Sequence, residues 1–159
     1  MAHGPVLDAA ALKAANINPA TGLATDYLNH YNEVAMMIGM LTDAPEMVEP
    51  ILDWRPLGYA AHFRLTNFSD QDVAIAAYDQ ASEAVRARFR IARRRVELAV
   101  ADVQDLLAAT KGPPGEAAAH ASAIFALIAS VGAVINGETC AAPAGPATPA
   151  QADIDALFG

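Results

Sequence analysis

A chain of 159 residues with 54% hydrophobic content has material for one compact domain, whose core can offset the conformational entropy of folding. Its formal charge of −8 excludes non-specific binding to nucleic acid, which needs a surplus of Lys and Arg over the contact face. The one cysteine, Cys140, cannot form an intramolecular disulfide, and the first twenty residues lack the pattern of an export signal, so a cytoplasmic protein is expected.

Residues 1–20, with Pro5, Asn16, Asn18 and Pro19, read as a poorly ordered lead carrying one short helix over Leu7 to Ala15. The bundle proper is expected over 21–137. Thr25 can cap a helix whose first turn carries Asp26 and whose apolar residues Leu28, Val34, Met37, Ile38 and Leu41 follow the 3.6 period. Pro45, Pro50 and Pro56 then cut the chain into two short helices, 45–53 and 56–65, because proline removes a backbone donor and biases its predecessor away from helix.

Ser69 is a good cap for the helix that follows, which meets neither Gly nor Pro from Asp70 through Lys111. In heptads, Val85, Ala92, Ala99 and Leu106 fill one seam position, and Phe89, Val96 and Val103 the other. About 40 helical residues would span roughly 60 Å, which predicts an elongated hairpin or a dimeric bundle. The turn Gly112-Pro113-Pro114-Gly115 reverses the chain into an Ala-rich helix, 116–136, stopped by Asn136 and Gly137.

That last helix is long enough to cross a bilayer. Its larger side chains Ile124, Leu127, Ile128, Val131, Val134 and Ile135 nevertheless form one stripe, and no interfacial aromatic or basic anchor flanks it closely. A bundle helix is therefore expected rather than a membrane span. Residues 138–150 place Pro143, Pro146 and Pro149 among Ala, Gly and Thr, the composition of a semi-rigid linker.

Beyond the linker comes Gln151-Ala152-Asp153-Ile154-Asp155-Ala156-Leu157-Phe158-Gly159. On a helix, Ile154, Leu157 and Phe158 make a small apolar face flanked by Asp153 and Asp155. Nine residues cannot hold a helix alone, and such a segment orders when it lies in a groove. A last helix packed on its own bundle is the alternative, but a core helix seldom needs thirteen Pro- and Ala-rich residues to reach its seat.

Gln151 to Leu157 closely resembles the peptide by which the flagellar switch protein FliM binds phosphorylated CheY, whose pattern is Ser-Gln-acidic/Ala-acidic-Ile-Asp-Ala-Leu. Its place here, at the end of a helical body and a Pro-rich linker, is similar to that of the CheY-binding helix of the chemotaxis phosphatase CheZ. The resemblance implies a docking helix over 151–159, with Gln151, Asp153, Ile154, Asp155, Leu157 and Phe158 meeting a CheY-like response regulator. Any Mg2+ would belong to that receiver, and the chain needs no cofactor of its own.

Asp102-Val103-Gln104-Asp105-Leu106 likewise resembles the Asp-Phe-Gln-Asp-Leu stretch of that phosphatase's active helix, which makes Asp105 a catalytic candidate. In that family a Gln four positions beyond the second Asp positions the attacking water. Here Ala109 stands there, and an alanine can neither orient water nor accept its proton. The plainer expectation for Asp102, Gln104 and Asp105 is the solvated face of a long helix.

Asp26, His30 and Glu33, at i, i+4 and i+7, share a helix face with Asn29 at its edge. A carboxylate beside an amide can hold a water for in-line attack on a phosphoryl group, which makes Asp26 and Asn29 the second catalytic pair. Half a metal site and a His30 hydrogen-bonded between helices are the alternatives; with too few ligands elsewhere, no metal is expected. Six of the ten basic residues are Arg86, Arg88, Arg90, Arg93, Arg94 and Arg95, a run that reads as a solvated face, an attractor for an acidic partner, or a holder of the chain's own Asp153 and Asp155. Trp54, Tyr59 and Phe63 are expected to lock the short helices onto the bundle.

An all-α, elongated helical hairpin or bundle with a flexible tail is the expected fold. Its expected role is that of a two-component accessory protein that binds a CheY-like receiver and promotes its dephosphorylation or sequesters it. A non-enzymatic helical scaffold, as a homodimer or alone, is the alternative.

Overall fold

The computed structural model describes residues 7–66, 69–110 and 116–138. Within them lie seven α-helices and no strand: α1 (Ala9–Ala14), α2 (Asn29–Gly39), α3 (Val48–Asp53), α4 (Tyr59–Leu65), α5 (Gln71–Gln80), α6 (Glu83–Thr110) and α7 (Ala117–Ile135). Short 3₁₀ turns, Thr25–Leu28 and Pro45–Met47, lead into α2 and α3. The all-α expectation holds. The turn 112–115, the linker from 139 to 150 and the segment 151–159 lie outside the described residues.

Helices α6 and α7 form the hairpin that the sequence implies, and α2 packs along α7. Two glycines mark the course of that second approach. A β-carbon on Gly39 would stand 3.5 Å from Ala121 Cβ, and one on Gly132 would stand 3.5 Å from Leu28. These two contacts make α2 and α7 antiparallel. The Ile/Val stripe of α7 (Ile124, Ile128, Val131, Val134, Ile135) is buried, with Leu127 half-buried beside it. Helix α7 is also long and apolar enough, by length and composition, to cross a membrane.

The long helix is shorter than expected. It breaks at Ala81, whose backbone is extended (φ −61°, ψ 151°), and restarts at Glu83. The cause is a cap: Ser82 Oγ accepts a hydrogen bond from Val85 N at 3.2 Å, satisfying one of the first-turn amides that no carbonyl can reach. Helix α6 therefore has 28 residues and a length of about 42 Å. Its buried positions are Phe89, Ala92, Val96, Val100, Val103 and Leu107. The heptad seam held for Phe89, Ala92, Val96 and Val103, but Val100 and Leu107 replace Ala99 and Leu106. The mean spacing is that of a straight helix, about 3.6 residues, which drifts off a strict seven-residue repeat.

Residues 7–20 depart from the expected loose lead. Asp8 caps α1 by accepting from Ala11 N at 2.7 Å, and Leu12, Ala15 and Ile17 are buried. The chain then turns through Gly22, at φ +76°, where a β-carbon would meet Ala77 O at 2.8 Å. Glycine is required there on both counts. Thr21, buried beside it, donates its hydroxyl proton to Ile135 O at 2.6 Å and so supplies a partner for a carbonyl at the end of α7. Gly137 at φ +73° closes that helix, as its sequence predicts.

Two expected caps are not made. Thr25 opens a 3₁₀ turn with no side-chain cap, and α5 starts after Asp70 rather than Ser69, again with no side-chain cap.

Candidate functional site

The expected face of Asp26, His30 and Glu33 does not form. Residues 25–28 wind as a 3₁₀ turn, three residues per turn, so the side chains before Asn29 leave the register of the α-helix behind them. Asp26 is half-buried and accepts from Asn16 Nδ2 at 3.2 Å; His30 points inward; Asn29 and Glu33 face solvent together. Asp105 is exposed on α6. It lies sixteen residues beyond Phe89, about 24 Å along the helix axis, whereas Tyr27, next to Asp26, packs its ring 5.3 Å from Phe89. The structure thus places the two catalytic candidates on different levels of the bundle.

His30 joins a buried polar and aromatic cluster at the centre of the body. Its ring lies 4.7 Å from Tyr27, 3.9 Å from Tyr31 and 5.2 Å from His62. His30 Nδ1 meets Tyr27 O at 2.7 Å, which fixes the proton on Nδ1 and leaves Nε2 a bare acceptor. His30 Nε2 and His62 Nδ1 have no hydrogen-bond partner. Burial lowers the pKa of His30 to about 4, against the pull of the Tyr27 carbonyl, and burial lowers that of His62 as well. Both imidazoles are neutral at physiological pH. Two imidazoles are the makings of a ligand set, but among the described residues no three His, Cys, Asp or Glu side chains group as a metal would require.

Three phenols carry the cluster outward. Tyr31 donates to Glu97 Oε1 on α6 at 2.7 Å, Tyr27 donates to Leu57 O at 2.6 Å, and Tyr59 Oη accepts from Ala24 N at 2.9 Å. Burial raises all three phenol pKa values, so each stays protonated. Trp54 Nε1 adds a 3.3 Å bond to His30 O. Together they pin the Pro-punctuated segment to α2 and α6, the locking role expected of its aromatics.

Glu97 and Gln104 are the polar residues whose roles the sequence hid. Gln104 Nε2 donates to Ile51 O and Trp54 O, at 2.9 and 2.8 Å, and so satisfies carbonyls at the end of α3. It is half-buried, unlike its exposed neighbours Asp102 and Asp105. Glu97 accepts from Tyr31 and pairs with Arg93 at 3.5 Å. The Tyr27/Tyr31 spacing of four was the available signal, and the two phenol oxygens do meet, at 3.1 Å, across the junction of the 3₁₀ turn and α2.

The basic run forms the outer counterpart of this cluster. Arg88, Arg90 and Arg94 are exposed, Arg86, Arg93 and Arg95 half-buried, and Arg93 lies over the Phe89 ring at 5.8 Å. Arg90, Ile91, Arg93, Arg94, Arg95, Ala87 and Glu97 line an open groove of about 660 Å³. Ile91 is 40% exposed there, and Leu98 two turns on is 49% exposed. The groove thus sets exposed arginines beside exposed apolar side chains. Gln151, Asp153, Ile154, Asp155, Leu157 and Phe158 lie outside the described residues.

No family model matches the chain, and neither a curated protein nor a solved structure is significantly similar to it.

Proposed function

We propose that this protein is a cytoplasmic accessory factor of a two-component pathway, docking a CheY-like receiver through residues 151–158. The observation that carries the reading is the stretch Gln151 to Leu157, with apolar residues Ile154, Leu157 and Phe158 on one helical face and Asp153 and Asp155 beside it. The helical body serves as the carrier of that segment. Its central polar groups are largely occupied with one another, and Asp105 stands far from the Asp26 and Asn29 pair, which favours sequestration or delivery of the receiver over its dephosphorylation.

The test is a titration of a fluorescent peptide of residues 146–159, and of the whole protein, against CheY-like receivers with and without a phosphoryl analogue. Binding is expected to weaken about tenfold or more on Ile154→Ala or Leu157→Ala, the cost of removing one anchor. Absence of binding to every receiver removes the proposal. Unchanged decay of receiver phosphate in the presence of the protein removes the catalytic version alone.

A second reading, a scaffold that pairs with its own copy, is favoured by the outer side of α2 and α7. Met36 and Met40 are 58% and 46% exposed, Phe125 is 40% exposed, and Ala118, Ser122 and Ala129 beside it face solvent. Sedimentation of the wild type and of Phe125→Glu distinguishes it: a dimer lost in the variant supports pairing through this face.

A further inference from the structure

We infer that the arginine groove of α6 is a docking surface for the chain's own acidic segment 151–158. The inference rests on the reading of 151–158 as a docking segment but not on the identity of its partner.

Charge supplies the first argument. Arg90 and Arg94, one turn apart and both exposed, lie along one side of Ile91, and Leu98 continues the face of Ile91. Wound as a helix, the segment would carry Asp153 and Asp155 to either side of Ile154, with Leu157 and Phe158 on the face of Ile154. The two patterns are complementary in both sign and apolar content. Arg93 already meets Glu97, so Arg90 and Arg94 are the cations assigned to the incoming carboxylates.

The exit point of the chain supplies the second. Thr21 bonds Ile135 O at 2.6 Å, and a β-carbon on Gly137 would lie 3.5 Å from Thr21. Gly22, the next residue, stands against Ala77 and Ala81, just ahead of α6. The end of α7 is therefore held at the pole where α6 begins, and Arg90 to Arg94 lie about 10–17 Å along α6 from Glu83. Twelve residues separate Glu138 from Gln151, a contour of about 40 Å, so the tether reaches the groove with length to spare. Over such a tether the effective concentration is of millimolar order, and a contact of modest affinity suffices to occupy the groove.

The consequence is competition. A receiver that takes 151–158 must draw it out of the groove, and its apparent affinity falls by the fraction of chains in which the segment is free. The contact is between solvent-exposed charges, so added salt is expected to release the segment.

The full chain tests this with a nitroxide at residue 159, introduced as Gly159→Cys in a Cys140→Ser background. Amide signals of Arg90 to Arg94 are expected to broaden, with those of α4 unaffected. Arg90→Glu/Arg94→Glu is expected to abolish the broadening, as is Asp153→Arg/Asp155→Arg, which touches only the tail. The two pairs combined are expected to restore it. Broadening that avoids α6, or that survives both reversals, overturns the inference. With a receiver that binds, Arg90→Glu/Arg94→Glu is expected to tighten binding severalfold; equal affinity also overturns the inference, while the docking proposal would stand. Broadening with no receiver bound by any form removes that proposal and leaves the groove contact intact.

Discussion

The interior cluster around Tyr27, His30 and Tyr31 and the arginine face of α6 sit on opposite sides of the same turns of helix, and they treat polar groups in opposite ways. Inside, phenols and imidazoles are held in their neutral forms by burial, and most of their hydrogen bonds end on the protein itself. Outside, Arg88, Arg90 and Arg94 face water. Arg93 and Glu97 mark the border between the two. The difference teaches that the polarity of the interior is spent on architecture, and that the chemistry available to another molecule lies on the surface.

Phe89→Ala breaks the comparison at its base. The ring stands 5.3 Å from Tyr27, 5.8 Å from Tyr59 and 5.9 Å from Tyr78, and its loss is expected to destabilise the fold by about 3–5 kcal/mol in thermal or urea unfolding. Acid is the next largest perturbation. Unfolded His30 binds a proton near pH 6.5, but the folded form accepts one only near pH 4, so its stabilising contribution is complete above pH 6.5. It is lost as pH falls from 6.5 towards 4, on the order of 3 kcal/mol, and His62 acts in the same direction. Urea midpoints measured from pH 7 to pH 4 should decline less steeply in His30→Gln.

Tyr31→Phe probes the border. It removes a 2.7 Å bond to a carboxylate without changing the packing, and a loss of about 1.5–3 kcal/mol is expected, read as a lowered urea midpoint. Arg94→Ala should sharpen the contrast by doing almost nothing to stability, within about 0.5 kcal/mol, because its side chain is exposed. A large loss there would show that the arginine face is structural after all.

Helix periodicity was legible where burial imposed it. The stripe of α7, the stop at Gly137 and the punctuation by Pro45 and Pro56 all follow from side-chain spacing and backbone chemistry. The break at Ser82 was hidden because no Gly or Pro marks it; a serine oxygen and a glutamate in the first turn are quiet signals inside a long apolar repeat. The packing of Leu12 and Ile17 was also hidden, since a short helix becomes stable only against a surface made by distant residues. Asp26, His30 and Glu33 were mis-registered by a single 3₁₀ turn, which no periodicity argument detects. Gln104 looked solvated because its partners, the carbonyls of Ile51 and Trp54, are contributed fifty or more residues earlier in the chain.

The Thr21 hydroxyl and the Ile135 carbonyl are separated by 114 residues of chain. Contacts within the α6–α7 hairpin are local and form at little loop-closure cost, whereas this one closes almost the entire body. The seat of Ile17 beside Ile135 and Asn136 is therefore complete only once α7 has been made, whereas α1 packs on α5, which precedes α7 in the chain. The hairpin can close locally, and the Thr21–Ile135 bond then ties chain from more than a hundred residues earlier to its end.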